Sequence, residues 1–148
     1  MTKIGIVLSI LLGMVVFSAQ ADVESAKILA KKYTGIAKTI NPDFEPSVEA
    51  GKAFYNRKVG YKGKQVSCAS CHTANPADNG KNFVTHKRIR PLSPAVNPKR
   101  FSDLDKVEEK FVEHCNDITG SDCTPQDKVN YIMYLMTVTE ATPKASSK

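Results

Sequence analysis

Five consecutive residues, Cys68-Ala69-Ser70-Cys71-His72, constrain this chain more than any others. C-x-x-C-H is the spacing at which two thiols add to the vinyl groups of one haem and the following imidazole ligates its iron. Both sulfurs must reach one edge of the porphyrin while His72 sits beneath its centre, so the chain has to fold around a large flat group. A bare C-x-x-C would also suit a redox dithiol or half a zinc site. The added His, an export leader and the lack of a second C-x-x-C favour haem, with an unliganded exported dithiol or a zinc site as alternatives.

The leader is read from Met1-Thr2-Lys3, a short positive start, then an apolar run from Ile4 to Phe17 and the A-x-A pattern of Ala19-Gln20-Ala21. The run is short for a membrane span, so 1–21 reads as a signal peptide, with an uncleaved anchor as the alternative. About 127 residues then remain, enough for one domain. No later segment is apolar for long enough to cross a bilayer. Covalent haem with a leader points to the periplasm. In that oxidising compartment the two cysteines outside the motif, Cys115 and Cys123, are expected to pair. Loss of Lys3 leaves 20 basic against 15 acidic residues, a balance of +5. That suits docking to an acidic redox partner or a membrane surface. The compartment and the lack of any binding motif argue against nucleic acid.

The patterning is helical, and the fold class is all-α. Asp22 is placed to cap a first helix with Val23, Ala26, Leu29, Ala30 and Tyr33 on one face. A second helix is expected from Ser47 as N-cap to about Val59, with Gly51 inside it. Glycine there costs about 1 kcal/mol against alanine, so a close packing contact is suspected. Gly60 to Lys64 reads as a basic loop, and 73–98 as a long loop with a prosthetic group to wrap. Ser102-Asp103-Leu104-Asp105 reads as a capping box for a third helix, with Leu104, Val107, Phe111 and His114 on one face. Thr124-Pro125-Gln126-Asp127 caps a last helix. The domain is expected to span 22–139, followed by a flexible tail at 140–148.

One axial position of the iron falls to His72. The other is open to His86, His114, Met133, Met136, a weak ligand such as Asn, or nothing. Met133 and Met136 lie in an apolar helix where core packing explains them, and His86 lies among charges. His114 continues an apolar face and precedes Cys115, so it is the preferred candidate. A Cys115–Cys123 bond would close a nine-residue loop beside it, contributing about 2–3 kcal/mol by the chain-entropy estimate.

With these residues in hand the sequence resembles the class I cytochromes c. Gly51-x-x-Phe54, with Tyr131 and Tyr134-Leu135, is similar to the crossing helix pair of that fold. More narrowly it resembles the group formed by cytochrome c double-prime of methylotrophs and the sphaeroides haem protein. The carriers are Cys68 to His72, Arg90-Pro91-Leu92-Ser93-Pro94, Lys99-Arg100-Phe101 and His114-Cys115-Asn116-Asp117-Ile118-x-Gly120-x-Asp122-Cys123. The resemblance implies a class I-like helical fold around one covalent haem, with an extra short disulfide loop. It implies an electron carrier rather than an enzyme, with His72 and His114 on ferric iron. It also implies release of His114 on reduction, which opens the sixth position to small gases. The sphaeroides branch has Asn where this chain has His114, so the double-prime branch is the match. Class I proteins further imply Pro91 as the carbonyl acceptor for the His72 ring, and Leu92 packing on the haem. Lys87, Arg88, Arg90, Lys99 and Arg100 are candidates for the propionates, Arg88 and Arg100 being the best shaped for them.

Overall fold

The computed structural model describes residues 17–143, with side chains from Asp22 onward. Most of the expected leader and residues 144–148 of the expected tail lie outside the described residues. The elements run α1 (Phe17–Ile40), α2 (Val48–Asn56), β1 (Val59–Tyr61), β2 (Lys64–Val66), α3 (Cys68–His72), β3 (Gly80–Lys81), β4 (Arg88–Ile89), α4 (Leu104–Thr119) and α5 (Pro125–Thr137).

Helix α5 is the spine. It crosses α2 at Gly51 and also packs along α1. A Cβ on Gly51 would stand 1.9 Å from the Asn130 carbonyl oxygen, so only a bare backbone permits the crossing. The suspicion raised by a mid-helix glycine is therefore met by a close contact. Asn130 also stitches the joint: its Oδ1 accepts from the backbone N–H of Ser47 at 2.7 Å. From α1 the buried face is Ala26, Leu29, Ala30, Tyr33 and Ala37: the expected stripe is carried one turn further, while Val23 at its start is only half-buried. The Thr124 cap forms as read, with Pro125 opening α5 and Asp127 completing the capping box.

Four local expectations are corrected. Asp22 does not cap a helix; it lies inside α1, buried, and its Oδ1 accepts from the Phe101 backbone N–H at 2.7 Å. The second helix stops at Asn56, and the supposed basic loop is a hairpin pairing Val59 with Val66 and Tyr61 with Lys64. Its two-residue turn needs positive φ at both Lys62 and Gly63, the type I′ geometry that matches strand twist. Within 73–98 a second small ladder pairs Gly80 with Ile89 and Lys81 with Arg88. The N-cap of α4 is Asp103, accepting from Lys106, and not Ser102, whose hydroxyl donates to the Lys99 carbonyl. The start of the expected tail is also tied down. Thr142 donates to both oxygens of Asp78, and Asn75 donates to the Glu140 carbonyl.

Candidate haem site

A cleft of about 640 Å³ opens between α3 on one side and α4 on the other, a size suited to a cofactor. Its α3 wall carries Cys68, Cys71 and His72. Helix α3 is a single turn held by its own sequence, Ser70 Oγ accepting from the Ser67 N–H at 3.0 Å. Two neighbours fix it from behind. The Tyr55 hydroxyl, on a fully buried ring, lies 2.7 Å from the Thr73 carbonyl and 3.1 Å from that of His72. On β3, a Cβ at Gly80 would come within 2.1 Å of the Cys71 carbonyl, so the strand presses directly on the motif's backbone.

The thiols are free and half-buried. Burial pushes the Cys68 thiol up to about 11, so it stays protonated near neutral pH. A redox dithiol needs the opposite shift. No group of three or more His, Cys, Asp or Glu able to hold a metal occurs among the described residues, which leaves the zinc alternative without a ligand set. Burial, then the charges at Arg100 and His114, push the His72 imidazole down to about 4. It is therefore neutral at ordinary pH, the form that ligates iron.

Across the cleft, α4 brings Val107, Phe111, His114 and Cys115 to the opposite wall. His114 is exposed, and its Nδ1 lies 2.8 Å from the Lys110 carbonyl oxygen. A carbonyl only accepts, so Nδ1 carries a proton, and whenever the ring is neutral its lone pair is on Nε2. That is the tautomer a metal ligand needs, and no residue pattern along the chain announces it. His86 sits exposed in a turn at φ 57°, away from the cleft. Met133 and Met136 pack on the hydrophobic core instead of the cleft wall. Cys115 and Cys123 are bonded, as expected for an exported pair. The loop they close is anchored by Asp122, whose carboxylate meets Lys128 Nζ at 3.0 Å. That ammonium is buried over the rings of Tyr33 and Phe111, at 5.5 and 6.0 Å from their centroids.

The remaining candidates separate cleanly. Leu92 is buried on the cleft wall with its N–H bound to the Pro76 carbonyl. Pro91 also lines the cleft, and its carbonyl accepts from Asn97 Nδ2 at 2.8 Å, so one of its lone pairs is already taken. Arg88 is directed elsewhere: Nε and Nη2 both donate to Asn79 Oδ1, and it does not line the cleft. Arg100 does line it, together with Arg90 and Lys99. Its Nε is buried with no partner in the chain, a donor that an anionic group would satisfy. Two half-buried thiols, a neutral imidazole on the same turn, an opposed imidazole and an orphaned guanidinium N–H together fit a haem with its propionates.

A family model described as a domain of unknown function, DUF1924, matches residues 41–135. Cytochrome c'' of Methylophilus methylotrophus is 56% identical over 132 residues, covering 86% of this chain and 92% of that protein. The chain belongs to the cytochrome c'' family. The crystal structure of oxidized cytochrome c'' from that organism matches with a TM-score of 0.79, covering 82% of this chain and 100% of that one. The c-type protein SHP of Cereibacter sphaeroides is 38% identical over 88 residues, covering 59% of this chain and 67% of that protein. The structure of oxidized SHP, described as an oxygen-binding cytochrome c, matches at 31% identity with a TM-score of 0.67, covering 76% of this chain and 96% of that one. As a member of the cytochrome c'' family the chain is a c-type haem protein with one covalent haem, and its fold is the helical one those relatives share. Among the described residues no helix is long and apolar enough to cross a membrane.

Proposed function

We propose that this chain is a periplasmic one-electron carrier, not an enzyme, in which His72 and His114 both ligate the oxidised iron and His114 leaves on reduction. The observation that carries this reading is the hydrogen bond from His114 Nδ1 to the Lys110 carbonyl, which frees Nε2 on a residue lining the cleft opposite α3. Cys68 and Cys71 would hold the cofactor, His72 would bind it from the fixed side, and Arg100, whose Nε is buried without a partner, would donate to a propionate. The bound haem supplies a one-electron ferric–ferrous couple.

The two imidazoles are supported unequally. His72 sits on a turn clamped by Tyr55 and β3, whereas His114 is exposed on the penultimate turn of α4. Release is therefore expected on the α4 side. A solution structure of the Methylophilus protein, at 56% identity and a TM-score of 0.76, was reported for insight into haem-ligand detachment, which supports the same reading here. Once off the iron, the imidazole's Nε2 is a base free to take up a proton. The potential then falls with rising pH by up to about 59 mV per unit.

Optical and EPR spectra of both oxidation states, for wild type beside His114→Ala, test the assignment. Wild type is expected low-spin when ferric and high-spin when ferrous; the variant is expected high-spin in both. A low-spin ferric variant would exclude His114 as ligand, and a low-spin ferrous wild type would exclude release. Potential measured against pH tests the proton, and a flat profile across neutrality counts against it. A second reading, gas binding at the position His114 leaves, is favoured by the description of SHP as oxygen-binding. Ferrous spectra under oxygen, CO and NO distinguish it.

A further inference from the structure

Charge is distributed very unevenly along this chain. Residues 51–102 hold eleven Lys and Arg against a single acid, Asp78, a balance of +10. The whole chain is +6, so everything outside that segment carries −4. The ion pairs seen among the described residues all lie outside it: Lys27–Glu24, Lys32–Glu108, Lys38–Glu45, Lys106–Asp103, Lys110–Glu113 and Lys128–Asp122. Asp78 spends both carboxylate oxygens on Thr142. The cations of 51–102 are thus not neutralised within the fold, and their mutual repulsion works against it.

Seven of these cations stand on or beside two short ribbons whose Tyr61, Phe83 and Ile89 line the haem cleft. Arg57, Lys58, Lys62 and Lys64 stand exposed on and beside the β1–β2 hairpin. Lys81, Lys87 and Arg88 stand exposed on the β3–β4 ladder. The two ribbons meet through Tyr61 and Phe83, edge to face with centroids 6.3 Å apart. Lys62 Nζ lies over the Tyr61 ring at 5.1 Å, and Lys64 Nζ over Phe83 at 6.0 Å. Both rings line the cleft, so this face adjoins the cofactor's site.

We infer that the paired ribbons form the docking face for an acidic electron-transfer protein. The inference rests on the carrier reading above. Charge complementarity favours an anionic occupant, and the position over the cleft favours one that exchanges electrons, which a lipid headgroup does not. A second copy of this chain is a weaker match, because six of its acids, Glu24, Glu45, Asp103, Glu108, Glu113 and Asp122, already face lysines of their own chain and the whole chain carries +6, so two copies repel.

The test uses ferric holoprotein reduced by a fully reduced acidic flavodoxin, followed by stopped flow against ionic strength. The probe variant is Lys62→Glu with Lys64→Glu. The control, Lys27→Glu with Lys31→Glu, makes the same change of net charge on α1. At low salt the hairpin variant is expected to react on the order of tenfold more slowly than wild type, and the control less than twofold. The difference should vanish near 1 M salt, where screening acts within about 3 Å. Equal slowing of both variants, or a wild-type rate independent of salt, would overturn the inference. So would salt-resistant sedimentation of wild type with phosphatidylserine vesicles that the hairpin variant abolishes, or a dimer in analytical ultracentrifugation that it dissolves. The His114→Ala spectra involve none of these lysines, so the carrier reading and the docking face can fail separately.

Discussion

Gly51→Ala isolates the joint on which the cleft is built. In an open helix the change would stabilise by up to about 1 kcal/mol, because alanine has less backbone freedom to lose. Here the new methyl would lie 1.9 Å from the Asn130 carbonyl oxygen, 2.5 Å from its carbon and 2.9 Å from Tyr134 Cβ. Ordinary contact begins at 3.4 Å, so α2 and α5 must part by roughly 1.5 Å. The obstructing oxygen and carbon are backbone atoms, which no rotamer change can move aside. Overpacking costs about 1–3 kcal/mol, and a backbone clash belongs at the upper end. Offset by the propensity gain, the net loss is about 2 kcal/mol, or a fall in Tm of about 8 °C. Gly35→Ala is the internal control: Gly35 lies in α1, exposed, with nothing within 4 Å of a new Cβ, and should gain about 0.5–1 kcal/mol. Guanidinium unfolding of the ferric holoprotein, followed by far-UV circular dichroism, measures both. If Gly51→Ala is as stable as wild type or follows Gly35→Ala upward, the close crossing is refuted.

Lys128→Met should change stability by less than about 1 kcal/mol, since the stem keeps its packing and Asp122 is half exposed, whereas Lys128→Ala should lose about 2–3 kcal/mol; denaturant unfolding separates the two. Replacing Cys115 and Cys123 together with serine should cost about 2–3 kcal/mol in the same assay. Burial, reinforced by the charges of Glu108 and Asp122, pushes the Tyr33 hydroxyl up to about 12. The folded state therefore holds that proton more tightly than the unfolded chain. Its contribution is complete below pH 10 and is lost as pH rises through 12, so Tyr33→Phe should flatten part of the alkaline loss of stability seen by circular dichroism.

What the sequence made legible was chemistry carried by neighbours in the chain. Cys68 to His72 names its cofactor because the spacing is set by the porphyrin, and Thr124 to Asp127 names a helix start because its hydrogen bonds are local. Gly51 announced a contact through its cost, though not the partner. The β1–β2 hairpin stayed hidden because three-residue strands are too short to show alternation and Lys62-Gly63 is a weak turn signal. Asp22 looked like a cap because its partner, the Phe101 amide, lies 79 residues away. Arg88 and Arg100 are equivalent in a linear run of charge; only the fold ties one to Asn79 and places the other on the cleft wall with its Nε buried and unpartnered. The tether from Tyr55 to the backbone of His72 and Thr73 had no signal at all, since a tyrosine in an amphipathic helix is explained by packing alone.

The exposure of His114 has a consequence for how such proteins diversify. Val107, Phe111 and Cys115 are fixed by burial, and exchanging any of them would disturb the core. His114 stands between them in the chain yet outside that constraint, with its ring bonded to its own helix at Lys110. Under the proposed ligation, folding stability and iron chemistry come under separate control. If His114 ligates the iron as proposed, a single codon would turn that ligand into a weaker one, or none, with the scaffold intact. Mutational drift at this site explores cofactor behaviour while selection for a folded protein scarcely registers it.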